Sequence, residues 1–360
     1  MNVNLNIVKN LGWKSDESAA FLSLRTALYA YFETYKATYE GRVNPIEFEK
    51  LVLQFEFESD LYKSLYFTII THFQNFFELI FKDVLMKINP LFILKWNKSV
   101  TSFFYREINH EKNVFNENNQ SIEFSEMIER LLNIRKTHEK DEIINIIKPL
   151  LDKKDDLIVL NNLRNRIWHG GVFYLSYYNL DLFICQNILP LVKYVVNLDW
   201  YSQNVLWKPK NLNNHINPIE SLITEAALKK PDIEKMALLK ELGRASYHNP
   251  VIQIEDNCSP LERAFYVNLN YEKMKFVEAK TNAVRNVFLS DVFNCPVCRQ
   301  KTLVKYELDD DSYDGEQCRY ERHCIPNRIK CETCSFEIRP NIVNLSLCDI
   351  DDQNIWNDHD

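Results

Sequence analysis

Apolar residues recur with a helical period through most of positions 1–200. Between 16 and 40, Leu24, Leu28, Tyr31, Phe32 and Tyr35 fall on one stripe, with Asp16 and Glu17 at the start and Gly41 at the end. Asn44-Pro45 with Glu47 reads as a second helix start: a cap, a proline at the first helical position and an acid in the first turn. The segment from about 60 to 88 carries a wide apolar face of Leu65, Ile69, Phe73, Phe76, Phe77, Ile80, Val84 and Leu85, and Asn89-Pro90 stops it. This face exceeds what one bundle needs to bury. Residues 97–120 turn polar and asparagine-rich, as in a loop. Helices are expected next at 122–136 and 141–151, then from Asp155-Asp156 to Gly170-Gly171 with Leu157, Leu160, Leu163 and Ile167 on one stripe. The last apolar segment, 179–198, contains Pro190 and should kink there.

The pattern changes beyond position 200. Residues 201–218 read as a connector, and 219–243 as a helix closed by Gly243. From Cys295 onward the segments are short and strand-like: KTLVKYEL, an acidic loop at 309–316, then RYERHC and RIKCETCSFEI. Residues 341–360 hold five aspartates and no Lys or Arg, the composition of a solvated tail. The expected architecture is mainly α: a helical bundle over 1–200, a mainly helical connector over 201–292, a small β-rich module over 293–345 and an acidic tail over 346–360.

Composition narrows the function. The chain has 360 residues with 43 Lys+Arg against 50 Asp+Glu, a net charge of -7, which argues against a binder that is basic overall but leaves room for a local basic groove. Only 6 glycines are present, and neither G-x-G-x-x-G nor G-x-x-x-x-G-K-[ST] occurs, so nucleotide-phosphate cradles of those types are not expected. No run of about 18 apolar residues appears, and the N-terminus lacks a basic stretch followed by an apolar one. A cytoplasmic protein with no membrane partner is expected.

Six of the 9 cysteines, Cys295, Cys298, Cys318, Cys324, Cys331 and Cys334, lie close together in the sequence. Without an export signal, such clustering reads as a metal site rather than a disulfide framework. Cys295-Pro-Val-Cys298 and Cys331-Glu-Thr-Cys334 are two C-x-x-C knuckles, each able to aim two thiolates at one cation through a tight turn. The pattern resembles the zinc-ribbon family over about 293–340, which implies one zinc ion held by four thiolates. Four ligands leave no open position, so the metal would be structural. Cys318, His323 or Cys324 could replace a ligand. A redox C-x-x-C is the other reading, but the βαβ context it needs is absent.

The second motif lies at NNLRNRIWHGG, residues 161–171. Arg164 and His169 are five apart, with Asn165 after the arginine, at the end of a helix in an all-α region. This resembles the R-x₄₋₆-H motif of the HEPN ribonuclease superfamily, over roughly residues 15–200. The resemblance implies a helical bundle, a dimeric active site, RNA as substrate and no catalytic metal. Arg164 would bind the scissile phosphate as a bidentate fork, His169 would act as acid and base, and Asn165 would orient the histidine or bind a phosphate oxygen. On an ideal helix, five residues turn Arg164 and His169 about 140° apart. Two motifs meeting across a two-fold axis would therefore complete one site.

Arg166 is a candidate for backbone contact. Trp168 is expected in the core, with base stacking as the alternative. Glu78, on a polar stripe with Thr71, Asn75 and Lys82, is a candidate to hold Arg164 or His169. By family analogy alone, the implied role is a toxin or anti-phage abortive-infection effector with an antitoxin or regulatory partner. Two rivals stay open: a non-catalytic RNA- or protein-binding module, and a DNA or transcription accessory that acts through the ribbon. The residues of the motif also suit an ordinary helix end before a Gly-Gly cap.

Overall fold

A computed structural model describes residues 17–37, 59–95, 122–138, 140–170, 174–208, 216–247, 275, 278–279, 292–314 and 319–338. It is mainly α with one small antiparallel sheet near the C-terminus. The helices are α1 (Glu17–Ala37), α2 (Asp60–Ile88), α3 (Phe124–Thr137), α4 (Glu142–Asp152), α5 (Lys154–Gly170), α6 (Tyr177–Phe183), α7 (Leu189–Val196), α8 (Pro218–Ala226) and α9 (Ile233–Tyr247). The strands are β1 (Val292–Phe293), β2 (Leu303–Asp314), β3 (Arg319–Cys331) and β4 (Glu337–Ile338), in spatial order β1-β2-β3-β4. The second helix start at Asn44, the 97–120 loop, the end of the first helix at Gly41 and the acidic tail all lie outside the described residues. Among the described residues no helix is long and apolar enough to cross a membrane.

The chain divides into two compact units, one of Met1–Ala27, Phe67–Phe173 and Tyr194–Trp207, the other of Leu28–Tyr66, Tyr174–Lys193 and Lys208–Asp360. The first unit is packed with aromatic rings. Phe21 meets Phe76 edge-on at 5.9 Å and Tyr201 at 5.7 Å, and Phe81 stacks on Phe124 at 5.8 Å. Arg130 of α3 ties down the turn after α2, where Asn89 caps a single 3₁₀ turn, by donating to the carbonyls of Phe92 and Leu94. The expected surplus of apolar surface on α2 is absent. Leu65, Ile69, Phe73, Phe76, Phe77, Ile80, Val84 and Leu85 are all buried within one chain.

The second unit is built around α9. Ile233 and every residue from Met236 to Tyr247 are buried, including Lys240, Glu241 and Arg244. A buried charge is tolerated only when paired, and here Lys240 Nζ donates to Asp181 of α6, to Thr34 Oγ1 (3.0 Å) and to Tyr177 Oη (3.1 Å). It also lies 4.5 and 4.2 Å from the ring centroids of Tyr31 and Tyr177. Burial pushes the Lys240 pKa down and the Asp181 pKa up, and their mutual attraction opposes both shifts.

Three departures from the sequence expectation have local causes. The helix expected over 219–243 is two helices: the first ends at Ala226, Pro231 lies in the link and cannot sit in a helix interior, and Asp232 starts the second by accepting from Lys235 N–H at 3.0 Å. α9 does not stop at Gly243. That glycine is interior, and an ideal Cβ there would sit 2.7 Å from the ring of Phe32, so it marks a close approach rather than a helix end. The expected kink at Pro190 takes the form of a π-turn over Ile184–Ile188.

In the sheet, the acidic stretch 309–314 is strand rather than loop. It pairs with β3 in a register that sets Asp311 opposite Arg322 and Asp314 opposite Arg319. A partner strand of matching length supplies the backbone hydrogen bonds that composition alone cannot reveal. The register shifts between Tyr306 and Glu307, where β3 carries the extra residue Asn327 beside Pro326.

Gly243→Ala separates two opposing effects. Helix propensity favours alanine by about 1 kcal/mol, whereas overpacking against Phe32 costs roughly 1–3 kcal/mol. The clash should win, and urea unfolding should show a net loss of up to about 2 kcal/mol. A stabilised variant would mean that the Phe32 ring yields.

Candidate functional site

Two constellations carry the chemistry foreseen from the sequence. The first is a cluster of four thiols. The two knuckles follow β1 and β3, and the backbone folds them toward each other: Cys331 N–H donates to Phe336 O at 2.8 Å, Cys295 N–H to Gln300 O at 2.9 Å, and Glu332 N–H to Thr302 O at 2.9 Å. The turn at Cys298 closes with Arg299 at φ 66°, in the left-handed region.

Cys295, Cys298, Cys331 and Cys334 then place their Sγ atoms within 4.8 Å of one another, with Cys295–Cys334 at 3.5 Å and Cys298–Cys331 at 3.6 Å. All four are buried. A regular tetrahedron with metal–sulfur bonds of about 2.3 Å has sulfur–sulfur edges of ~3.8 Å, so these two separations lie near a tetrahedral edge and the cluster is compatible with one ion held by four thiolates. Backbone N–H groups already point at the sulfurs: Val297 at Cys295 (3.4 Å), Thr333 and Cys334 at Cys331 (3.4 and 3.3 Å). Hydrogen bonds from Cys295, Cys298 and Cys334 drive the Cys331 pKa down, and burial pushes that of Cys295 up.

Two of the alternative ligands, Cys324 and His323, are ruled out by register. Cys324 pairs with Asp309 and His323 with Asp310, whereas Cys331 pairs with Leu303. At ~3.4 Å per residue the Cys324 backbone lies some 24 Å up the strand from Cys331. Cys318 is outside the described residues. Cys185 stands apart in the π-turn, buried beside Tyr31 Oη at 3.0 Å, with its pKa pushed up to about 12 by burial, so it is an inert thiol.

The second constellation is the end of α5. Leu157, Leu160 and Leu163 anchor this helix in the core, and the motif lies on the turns beyond. Arg164 is half-buried. Its Nη1 donates to Asn165 Oδ1 at 3.1 Å, and its guanidinium lies 5.8 Å from the ring centroid of Trp168, one turn on. Its Nε is buried with no hydrogen-bond partner among the described residues. A charged donor left open in this way is costly unless a ligand completes it.

Trp168 is not in the core: 63 % of it is exposed. The exposed Arg166 and His169 flank it. Arg164, Asn165 and Trp168 are thus brought together, while His169 stands on the neighbouring exposed face. Glu78 is held on its own helix, where its carboxylate accepts from Gln74 Nε2 at 2.9 Å and Lys82 Nζ at 2.7 Å. The buried charges of α9 were not foreseen. LLKELGRAS has the spacing of polar residues on a solvated helix face, and Asp232, Glu234, Lys235 and His248 flank it, so nothing local marks these charges as buried. No family model, curated protein or solved structure matches the chain.

The geometry separates the cysteines by role. Cys331→Ser should abolish stoichiometric metal binding, and Cys324→Ser should leave it unchanged. Elemental analysis of the purified variants checks this; loss of metal in Cys324→Ser would reject the four-thiol assignment.

Proposed function

We propose that the chain is an endoribonuclease of HEPN type that cuts RNA without a catalytic metal, works as a homodimer and carries one structural zinc ion at Cys295, Cys298, Cys331 and Cys334. The observation that carries this reading is the end of α5: a guanidinium with an open buried Nε, an amide, an exposed indole and an exposed imidazole gathered at one helix terminus. The residue set favours chemistry by guanidinium and imidazole. Among the described residues the four-cysteine group is the one cluster of metal-ligating side chains, and a closed thiolate site has no vacancy for substrate.

In the proposed reaction the RNA 2′-oxygen attacks the adjacent phosphorus and the P–O5′ bond breaks. The products are a 2′,3′-cyclic phosphate and a 5′-hydroxyl. His169 takes the proton from the 2′-OH or gives one to the leaving oxygen, and the second copy's motif performs the complementary transfer. Arg164 binds the phosphate oxygens, Asn165 orients the imidazole or binds a phosphate oxygen, and Arg166 contacts the flanking backbone. Trp168 stacks a base.

The same helix supports the proposed dimer. Ile158 and Val159 are 37 % and 45 % exposed, and Val159, Asn162, Arg166 and His169 follow one stripe of α5. Pairing this stripe about a two-fold axis would bring both motifs together and cover the exposed aliphatic side chains. The cellular role proposed by family analogy is a cytoplasmic toxin or antiviral abortive-infection effector restrained by an antitoxin or regulatory partner. A second reading, a binding module without catalysis, is favoured by one observation: the constellation fully assembled within one chain is the thiol cluster, which is closed.

Single-stranded RNA should be cut in EDTA and leave 2′,3′-cyclic phosphate ends, and DNA, lacking the 2′-OH, should resist. His169→Ala should lose at least about a hundredfold in rate. Arg164→Lys should not rescue, because a point charge cannot copy the fork. Undiminished cutting in His169→Ala and Arg164→Ala, or an absolute need for magnesium, would leave the binding-module reading.

Light scattering at micromolar concentration should give a dimer. Val159→Glu should give a monomer with lost activity. An active monomer would reject the composite site.

A further inference from the structure

The carboxylate of Glu241 joins three elements of the second unit. Oε1 accepts from Glu337 N–H of β4 at 2.6 Å and from Arg244 Nη2 at 2.7 Å; Oε2 accepts from Arg244 Nε at 2.6 Å and from Tyr35 Oη of α1. Arg244 extends the same link. Its Nη1 donates to Ser335 Oγ at 3.3 Å, and its Nη2 also donates to Ser335 O. Ser335 directly follows Cys334, and Glu337 is two residues further on. Both Glu241 and Arg244 are buried. Two charged side chains of the central helix therefore depend on the backbone of the second thiol knuckle for part of their hydrogen bonding.

We infer that the Glu241–Arg244 pair of α9 is a clamp that couples metal occupancy of the four-thiol site to the docking of α9 on α1 and α6. This rests on the thiol cluster binding a metal and is independent of the ribonuclease reading. With metal bound, Cys331 and Cys334 are held at fixed separation, and Ser335 O and Glu337 N–H stay in place for α9. Without it, four buried thiols lose the ion that draws them together, and the knuckle is free to leave. Glu241 then loses the Glu337 N–H and Arg244 loses both Ser335 acceptors; the two charges still pair with each other, but buried hydrogen-bonding capacity of a charged pair is left unmet, which is costly. The relief available is for α9 to move toward water, which also exposes Lys240 and loosens its hold on Asp181, Thr34 and Tyr177. Coupling of this kind is reciprocal: a residue of α9 that is no ligand must set metal affinity.

Hydrogen exchange on the full-length protein, with zinc bound and after removal by excess chelator under reducing conditions, tests the first direction. Residues 233–247 and 28–37 should lose protection by at least about tenfold, while 124–137 and 142–152 keep theirs. Unchanged protection in 233–247, or an equal loss in all four segments, would overturn the clamp. Zinc affinity measured by chelator competition tests the reverse direction. Glu241→Gln should weaken it by roughly 5–150-fold, and Tyr35→Phe, a milder change should Glu241→Gln not fold, by less. Affinity equal to wild type in the folded variants would reject the coupling. Elemental analysis in parallel keeps the two failures apart, since a chain with no stoichiometric metal sinks the metal reading itself.

Discussion

Three charges must be buried on one helix, and much of the second unit is arranged to meet that demand. Lys240, Glu241 and Arg244 occupy α9, where every residue from Met236 to Tyr247 is shielded from water. Each charge would be ruinous alone, so each draws a specific element to it: Lys240 draws α6 through Asp181 and Tyr177, Glu241 draws α1 through Tyr35, and Arg244 draws the strand end at Ser335. Apolar contacts alone would tolerate many arrangements of these helices. Directional hydrogen bonds to charged groups tolerate few. Phe32 packs so closely on Gly243 that no side chain fits between them, which fixes the α1–α9 approach from another side.

The thiol cluster and the α5 terminus represent opposite kinds of site. The cluster is closed. Its four sulfurs are buried, their spacing is already near that of a tetrahedron, and backbone N–H groups face them. Four thiols around one point would leave an ion held there no vacancy. The α5 terminus is open: Trp168 and His169 face solvent, and Arg164 keeps one buried donor in reserve. Openness suits a large substrate or a second copy of the chain better than a small molecule, which a pocket would enclose. The separation of Arg164 and His169 around the helix points the same way, because one isolated helix cannot aim both at a single phosphate.

Local patterns were legible wherever a segment's own residues decide its structure. The 3.6-residue period located α2 at Asp60–Ile88, and the leucine stripe located α5. Two C-x-x-C spacings named the four thiols that converge. The break at Pro231 was local information too, yet the 219–243 segment was read as one helix, because its apolar period runs on across the proline. These readings depend on backbone geometry over a few residues, which any sequence carries with it.

What sequence alone determined, then, was the class of most of the described elements and the identity of the four thiols that converge. Tertiary structure decided the rest, because burial is a property of the partner and not of the residue. Lysine, glutamate and arginine at helical spacing look the same facing water as facing Asp181 and Ser335. Trp168 is a large aromatic residue of the kind that fills cores, yet among the described residues no element covers it. An acidic run reads as a loop until a second strand of matching length pairs with it. In each case the deciding quantity is the free energy of a group in its surroundings, and those surroundings come from segments far away in the chain.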